Sequence, residues 1–531
     1  MKFKKVLFIL FFLLPCLIFT SCSCSIGGLI QFTSSSGFQT SISYQVDDDN
    51  NLIAGQNITL KMMSNSNGII TLDSTGEQNI LVLPVCFKDY SLSFFNYQED
   101  EVISNIEKAF FGSSEETGWQ SVKSYYETSS YGNLTINGMV GEVFTLDINL
   151  LDFIKLTGEG SFDPSYYAIE KASENFFANY QGNLDFDKNN DGFIDALWVI
   201  YMNPYLSSKY QKQYFSWEPE LKTNPNLLNK ASEVLWAYTY WDYNSISSSQ
   251  SIKPFVYAWA SYDFLWDGNY FDDNNQPLVD AHTYIHETGH VFGLDDYYNY
   301  DYANENIPTS PTGALDMMDN NVGNHNSYSK YLLNWVKPKI IYQAGKYHLN
   351  DFQISGECLL LPSSMNSFNN SPYSEYLLFE FYSPTMLNYL DSQYRYENGI
   401  QLFGKYGVKV YHVDSRIGTL KYNYLTGSYN FIGYSNNYVN KENEYSVVGA
   451  SNTPSYSYTN KRLITLLSST HNASLNYYYQ DRNLGSANDS DLFTENSKIS
   501  TFKFNDGNTS TYEITFEDLT ADGVNVVVKN V

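Results

Sequence analysis

Cysteine is scarce in this chain of 531 residues, which contains only five. They are Cys16, Cys22, Cys24, Cys86 and Cys358. Cys16 lies in an N-terminal segment that resembles an export signal, so too few cysteines remain for the disulfide framework on which small secreted domains depend. The fold must therefore be stabilised by packing and by any ions that it binds.

Positive charge is also scarce, because Lys and Arg total 31 against 58 Asp and Glu, which gives a formal net charge of −27. A surface of this sign repels nucleic acid and anionic lipid, so a nucleic-acid partner is not expected. The same surface suits an exported protein that binds calcium. The chain is too long for one compact core, and two or more domains are expected.

Long apolar runs are missing except at the N terminus. There, Lys2, Lys4 and Lys5 precede an apolar stretch at residues 6–14, and small residues follow. This order is typical of a secretory signal, so residues 1–21 are predicted to be a signal peptide that is removed from the mature protein. No other segment is apolar enough to cross a membrane.

The end of this signal resembles a bacterial lipobox. Residues 19–22 read FTSC, with Phe19 where leucine is more usual. The pattern predicts that Cys22 is the lipidated first residue of the mature protein, and plain secretion is the alternative. The expected location is outside the cell or at its surface, on the outer face of a bacterial membrane. Contact with the membrane is expected only through this anchor.

The character of the chain changes twice along its length. Residues 22–77 are rich in Ser, Asn, Gly and Gln, which indicates a tether or a short pro-segment. Continuous apolar runs at 80–87, 196–202 and 255–262 then predict buried strands. From residue 341 to 531, short apolar stretches alternate with Ser- and Asn-rich loops, which predicts a β-sandwich-like C-terminal region.

The sequence HETGHVFGLDDYY begins at residue 286 and carries the clearest chemical signal. His286 and His290 are four residues apart, so they share one face of a predicted helix at 280–292 and can bind one zinc ion. Glu287 stands beside them and can take a proton from a water molecule that zinc activates. An amphipathic helix with a charged end is the structural alternative.

A third zinc ligand is expected just beyond this helix. Gly293 can adopt a left-handed conformation, end the helix and let the chain reverse. Asp296, ten residues after His286, is then the predicted ligand. Asp295 would point the other way in an extended segment. His282 lies two helical turns from His290, too far along the axis for all three histidines to converge.

A second metal site is predicted in the segment DFDKNNDGFID at 185–195. Its spacing resembles an EF-hand loop, with Gly192 at the sharp turn but Trp198 in place of the usual last glutamate. The expected calcium ligands are Asp187, Asn189, Asp191, Phe193 through its carbonyl, and Asp195. A solvated Asx-rich turn is the alternative.

The zinc motif resembles that of the immune inhibitor A-like family of secreted bacterial metallopeptidases. The likeness extends to ILVLPVCFKDY at 80–90, to residues 121–140 and 313–338, and to GVKVYHVD at 407–414. It implies an α/β (α+β) metzincin-like catalytic domain over residues 78–340, with a twisted mixed sheet and an active-site helix. It also implies an aspartate ligand where many metzincins carry a third histidine.

The resemblance further implies a methionine turn beneath the zinc ion. Met318 is the expected residue, and Met317 is the neighbouring possibility. Some metzincins carry a tyrosine two residues later, where this chain has Asn320. His325 and Tyr328 are the candidates for binding the developing oxyanion, and a structural role is the alternative for His325.

Together these features predict a secreted or surface-anchored zinc endopeptidase that uses Glu287 as general base. Its expected partners are protein or peptide substrates, and its expected cofactors are Zn²⁺ and Ca²⁺. The alternative is a catalytically inactive surface binding protein or adhesin on a metallopeptidase scaffold. Digestion of casein with and without a chelator would separate the two.

Overall fold

The computed structural model describes residues 30–32, 42–157, 164–242, 252–301, 310–396, 400–471 and 487–531. The predicted signal peptide and Cys22 lie outside these ranges. Over the part of the chain that is described, no helix has the length and apolarity needed to span a membrane.

The described residues form strands of two to eleven residues. In the first half of the chain these are β1 (Ile30–Phe32), β2 (Ile42–Val46), β3 (Leu52–Ile53), β4 (Gly76–Cys86), β5 (Leu134–Val140), β6 (Phe144–Thr145), β7 (Leu197–Tyr201), β8 (Tyr238–Trp241), β9 (Val256–Ser261), β10 (Tyr270–Phe271) and β11 (Pro277–Leu278). In the second half they are β12 (Lys339–Ile340), β13 (Gly345–Asn350), β14 (Cys358–Pro362), β15 (Glu375–Tyr382), β16 (Gly407–Asp414), β17 (Ile417–Asn423), β18 (Ser428–Tyr434), β19 (Asn440–Lys441), β20 (Glu444–Val448), β21 (Ile464–Leu466), β22 (Lys498–Ser500), β23 (Tyr512–Glu517) and β24 (Gly523–Asn530).

The α-helices of the described residues are concentrated before residue 340. They are α1 (Leu60–Ser66), α2 (Leu92–Phe95), α3 (Glu99–Phe111), α4 (Val122–Ser129), α5 (Leu150–Leu156), α6 (Ser165–Asn179), α7 (Gln211–Trp217), α8 (Pro219–Thr223), α9 (Pro225–Val234), α10 (His282–Val291), α11 (Met317–Asn320), α12 (Ser327–Leu332), α13 (Phe352–Ser355) and α14 (Tyr389–Gln393). With the strands they make a mixed α/β protein, as predicted at that level.

A mixed sheet lies at the centre of the first half, in the strand order β5–β4–β7–β9–β8 with β6 paired to β4. The pairs β4–β5, β4–β7 and β7–β9 are parallel. The last strand, β8, runs antiparallel to β9 and forms an edge of the sheet as described. Both β8 and its neighbour β9 contact α10.

Both faces of this sheet are buried, and β4 shows how. Ile80 and Val82 pack into a core that includes residues of α3, α4 and α10. Leu81 and Leu83 point the other way, into a core with residues of α5, α6 and α9. A strand covered on both sides has no polar face, which is why it reads as a continuous apolar run. The three buried strands predicted from such runs are confirmed.

A second mixed sheet has the strand order β1–β2–β3–β12–β14–β15–β16–β21. One face of β14, β15 and β16 belongs to the same core as α10. The other face packs against the four-stranded sheet β13–β24–β23–β22 through a third core. The strands predicted in the second half of the chain are therefore present, and two sheets share one apolar layer there.

The N-terminal strands join this second sheet. Strand β3 pairs with β12, which in turn pairs with β14. Leu52 and Ala54 are fully buried in the core, and the Ala54 amide donates to the carbonyl of Pro338. Residues 52–54 are therefore packed into the fold, and the second sheet joins strands from before and after residue 340.

Candidate metal centre

Helix α10 ends where the sequence predicts. Its last turn is closed by the Gly293 amide, which donates to His290 O at 2.8 Å, and by the Leu294 amide, which donates to Gly289 O at 3.1 Å. Gly293 has φ +98°, a conformation that favours glycine. A β-carbon there would also come within 3.0 Å of Thr71 Cγ2. Gly293 therefore lies just beyond the end of α10 in a left-handed conformation.

The chain reversal after Gly293 brings Asp296 back to the helix. Asp296 Oδ1 lies 3.0 Å from His286 Nε2 and 3.2 Å from His290 Nε2. Among the described residues, this is the only group of three or more His, Cys, Asp or Glu ligand atoms within 4.8 Å of one another. Asp295, the alternative ligand, is exposed and lies outside the group.

Hydrogen bonds fix the orientation of both imidazole rings. His286 Nδ1 lies 2.7 Å from the carbonyl oxygen of Met317, and His290 Nδ1 lies 2.7 Å from that of Leu294. Because a carbonyl oxygen only accepts, each Nδ1 must carry a hydrogen. In the neutral rings each Nε2 therefore presents a lone pair, which is the form that binds a metal.

The three converging atoms are all electron-pair donors when the rings are neutral. Asp296 Oδ1 is buried and has no hydrogen-bond donor of suitable geometry among the described residues. Burial opposes charge on His286 and His290, yet the Asp296 carboxylate outweighs it and raises the pKa of both rings. The cluster thus attracts positive charge, and two imidazoles with one carboxylate fit a zinc ion with room for a further ligand.

Glu287 lies beside this cluster on α10 and is 6% exposed. Its Oε2 accepts a hydrogen bond of 3.0 Å from the hydroxyl of Thr239 in the edge strand β8. Burial raises the pKa of Glu287, while the two histidines and the Thr239 hydroxyl oppose that rise. A carboxylate with a raised pKa is a better proton acceptor, which is what a general base needs.

Met318 is fully buried under α10. Its Sδ lies so close to Gly289 that a β-carbon on that glycine would come within 2.4 Å of it. Gly289 stands between the two histidines in sequence, so the thioether packs against the turn that carries them. Met317, the neighbouring possibility, contributes its carbonyl to His286 instead. The part that Met318 plays beneath a metal stays a prediction.

His325 and Tyr328 are both buried in the core. His325 is 1% exposed and packs against the rings of Tyr125 and Tyr126. Burial, with the charges of Lys330 and His286, holds its pKa well below the usual range, so the ring is neutral. This burial favours the structural alternative for His325.

Tyr328 is 2% exposed and lies near the ring of Tyr297, with 6.3 Å between centroids. Its pKa is raised by burial. No described hydrogen bond or ion pair joins Tyr328 or His325 to the three cluster residues. That they stabilise an oxyanion stays a prediction.

Three residues at the centre were not singled out from the sequence. Thr239 contacts Glu287, as described above. The Tyr300 hydroxyl donates to Asp296 Oδ2, and the Tyr298 hydroxyl is hydrogen-bonded to that of Tyr300. The one available signal was the run DDYYNY after the helix, and nothing in it indicates which tyrosine returns to the aspartate.

His282 uses both ring nitrogens away from the cluster. Nδ1 lies 2.6 Å from Asp280 Oδ1, and Nε2 lies 3.3 Å from Asp391 Oδ2. The ring is stacked between Trp119 and Tyr396, each with 4.1 Å between centroids. Burial opposes a charge on His282, but the two carboxylates outweigh it and raise its pKa to about 9. The side chain is therefore an imidazolium bound by two aspartates.

The predicted calcium loop has the sharp turn that the sequence suggests, with Gly192 at φ +84°. Its acidic side chains mostly accept hydrogen bonds from their own backbone. Asp187 accepts the amides of Asp191 at 2.9 Å and Gly192 at 3.0 Å, and Asp195 accepts that of Lys188 at 2.8 Å. Within the described residues these carboxylates do not form a group of three inside 4.8 Å.

The remaining predicted calcium ligands take part in the same turn. Asn189 Oδ1 accepts the Asp191 amide at 2.8 Å, and Asp191 Oδ1 accepts the Phe193 amide at 2.9 Å. Burial raises the pKa of Asp195 to about 6, with repulsion from the neighbouring aspartates adding to it. The geometry is that of an Asx-rich turn, and calcium binding stays a prediction.

No protein-family model matches the chain, and a comparison with curated proteins also gives no match. The resemblance to the immune inhibitor A-like family therefore stays a prediction. The case for a function depends on the convergence of His286, His290 and Asp296, with Glu287 adjacent.

Proposed function

We propose that this protein is a zinc-dependent endopeptidase. The observation that supports this most strongly is the approach of Asp296 Oδ1 to within 3.0 and 3.2 Å of the Nε2 atoms of His286 and His290. His286, His290 and Asp296 would hold the ion, and Glu287 would act as the base. A cluster kept only for structure would not need a buried carboxylate with a raised pKa beside it.

The chemistry that zinc supplies when bound is Lewis acidity, which lowers the pKa of a water molecule toward ~7. Among the side chains of the site, Glu287 would carry out the proton transfers. Its carboxylate takes a proton from the attacking water and afterwards gives it to the amine that leaves the cleaved peptide bond. The Thr239 hydroxyl, 3.0 Å from Glu287 Oε2, orients this carboxylate.

The polypeptide substrate is proposed from the sequence motif. Two histidines four residues apart with a glutamate after the first are the helical signature of metallopeptidases, in which the glutamate is the general base. The structure adds that Thr239 of β8 joins Glu287 to the central sheet.

We further propose a metzincin-like catalytic half and a sandwich-like C-terminal half. The first is supported by the antiparallel edge strand beside α10, by Gly293 and by Met318 against Gly289. The second is supported by the apolar layer between the two C-terminal sheets. Export, lipidation of Cys22 and binding of Ca²⁺ at 185–195 are proposed from the sequence alone.

Proteolysis with and without metal tests the function. The purified mature protein should degrade casein, lose that activity after treatment with a strong chelator, and regain it when zinc is added. A protein that binds zinc through the three residues yet leaves casein and unfolded peptides intact would instead be the binding protein or adhesin.

A further inference from the structure

We propose that Tyr300 is a positioning residue for the third metal ligand, and that the C-terminal β region holds Tyr300 in place. The inference rests on the proposed function only in taking Asp296 to be a zinc ligand. It assigns a role to a part of the chain, residues 449–456, that lies about 150 positions from the metal motif.

The two carboxylate oxygens of Asp296 have different neighbours. Oδ1 faces the two imidazoles, whereas Oδ2 accepts the Tyr300 hydroxyl. The Tyr298 hydroxyl is hydrogen-bonded to that of Tyr300, and the two rings meet edge to face at 5.0 Å between centroids. A carboxylate with one oxygen engaged in this way cannot rotate freely, so it presents the other oxygen to the metal.

Tyr300 is in turn held by contacts outside its own segment. Residues 292–301 contain no strand and no helix, so contacts with other segments matter for the position of Tyr300. The Tyr300 amide donates to Thr453 Oγ1 at 3.0 Å, and its ring lies 5.9 Å from that of Tyr456. Both partners belong to the loop that follows β20.

Further contacts attach the same loop on either side of Tyr300. Asn452 Nδ2 donates to Tyr297 O at 2.9 Å. The amide and hydroxyl of Ser455 donate to the Asp301 carboxylate at 2.8 and 2.9 Å. Asn452 also accepts the Ile464 amide at 3.1 Å, which ties the loop to β21 of the large sheet. The C-terminal region thus contacts the segment that bears the third ligand at Tyr297, Tyr300 and Asp301. Within the first half of the chain, the Tyr297 amide also donates to Met318 O at 2.8 Å.

Such partners matter because they orient a ligand before the metal arrives. Loss of an outer partner of a metal ligand typically weakens metal binding ~10–100-fold. Tyr300 is 45% exposed, so removal of its hydroxyl group leaves no cavity in the core. Tyr300→Phe keeps the ring contact with Tyr456 and the hydrogen bond that the backbone amide donates to Thr453. It removes the hydrogen bonds of the hydroxyl to Asp296 and to Tyr298.

The test is the zinc affinity of the full mature chain, measured by competition with a chromophoric chelator of known affinity. Tyr300→Phe should weaken zinc binding ~10–100-fold. Thr453→Ala should weaken it in the same direction by a smaller factor, because it loosens Tyr300 from the other side. Tyr456→Phe is the matched control, since it removes a nearby exposed hydroxyl and keeps the ring, and it should bind zinc as the wild type does.

A second readout is the visible spectrum of the cobalt(II) form, which reports ligand geometry without reference to activity. Tyr300→Phe should change the ligand-field bands and Tyr456→Phe should not. Wild-type zinc affinity and an unaltered cobalt spectrum in Tyr300→Phe would overturn the inference. If His286→Ala binds zinc as tightly as the wild type does, the proposed function would be overturned instead.

Discussion

Two segments of this chain have the spacing of metal ligands, but the ligand atoms converge in only one of them. At 286–296 the three ligand atoms meet within 4.8 Å, and each histidine is oriented by a backbone carbonyl. At 185–195 the carboxylates accept hydrogen bonds from backbone amides of their own turn. A helix fixes the direction of its side chains without an ion, because its backbone is held by its own hydrogen bonds. An Asx-rich loop has no such frame, so its spacing predicts less.

The largest expected effect concerns the chemistry that only the first segment can support. Glu287→Gln should lower kcat for peptide hydrolysis ~10²–10⁴-fold, because an amide cannot accept the proton of the attacking water. Zinc content and melting temperature should stay near those of the wild type. Near-normal turnover in this variant would remove Glu287 from the mechanism. Neither segment would then have a demonstrated catalytic residue.

The next effect is the contribution of His282, in the first turn of α10, to the stability of the fold. His282 has a pKa of about 9 in the folded protein against 6.5 for the free side chain. The protonated form is therefore favoured by folding, and its contribution is complete below about pH 6.5 and is lost as the pH rises through about 9. The difference corresponds to stability on the order of 3 kcal/mol.

Urea unfolding between pH 6 and 10 measures this contribution. The free energy of unfolding should fall more steeply with pH in the wild type than in His282→Gln, whose side chain does not titrate. Parallel pH profiles for the two proteins would show that Asp280 and Asp391 do not hold an imidazolium.

The smallest expected effect concerns the second segment. Calcium that binds only the folded loop should raise the melting temperature, by an amount equivalent to ~2.7 kcal/mol when calcium is 100 times Kd. Asp191→Ala should abolish the rise, and Asp273→Ala, in a different exposed turn, should keep it. A wild type that does not respond to calcium would identify the loop as a turn alone, and the contrast between the two segments would be complete.

The sequence predicted those features that follow from local periodicity. Continuous apolar runs indicated the buried strands, and the spacing of His286, His290 and Gly293 indicated a helix, its end and a reversal toward Asp296. These inferences needed only the geometry of one helix and one sheet.

The contacts that join distant parts of the chain could not be predicted in this way. Tyr300 is fixed by Thr453, 153 residues away, and His282 is bound by Asp391, 109 residues away. The pairing of β3 with β12 is equally remote in sequence. Each depends on tertiary packing between segments that have no shared pattern, and none leaves a mark in either segment alone.

The most direct test of the zinc site compares Asp296→Ala with its neighbour, Asp295→Ala. Both remove one carboxylate from the same turn, but only Asp296 approaches the two imidazoles. After dialysis against a weak chelator, elemental analysis should find zinc retained in the wild type and in Asp295→Ala, and largely lost from Asp296→Ala. Full zinc in Asp296→Ala, with loss from Asp295→Ala or from His282→Ala, would contradict the assignment of the third ligand.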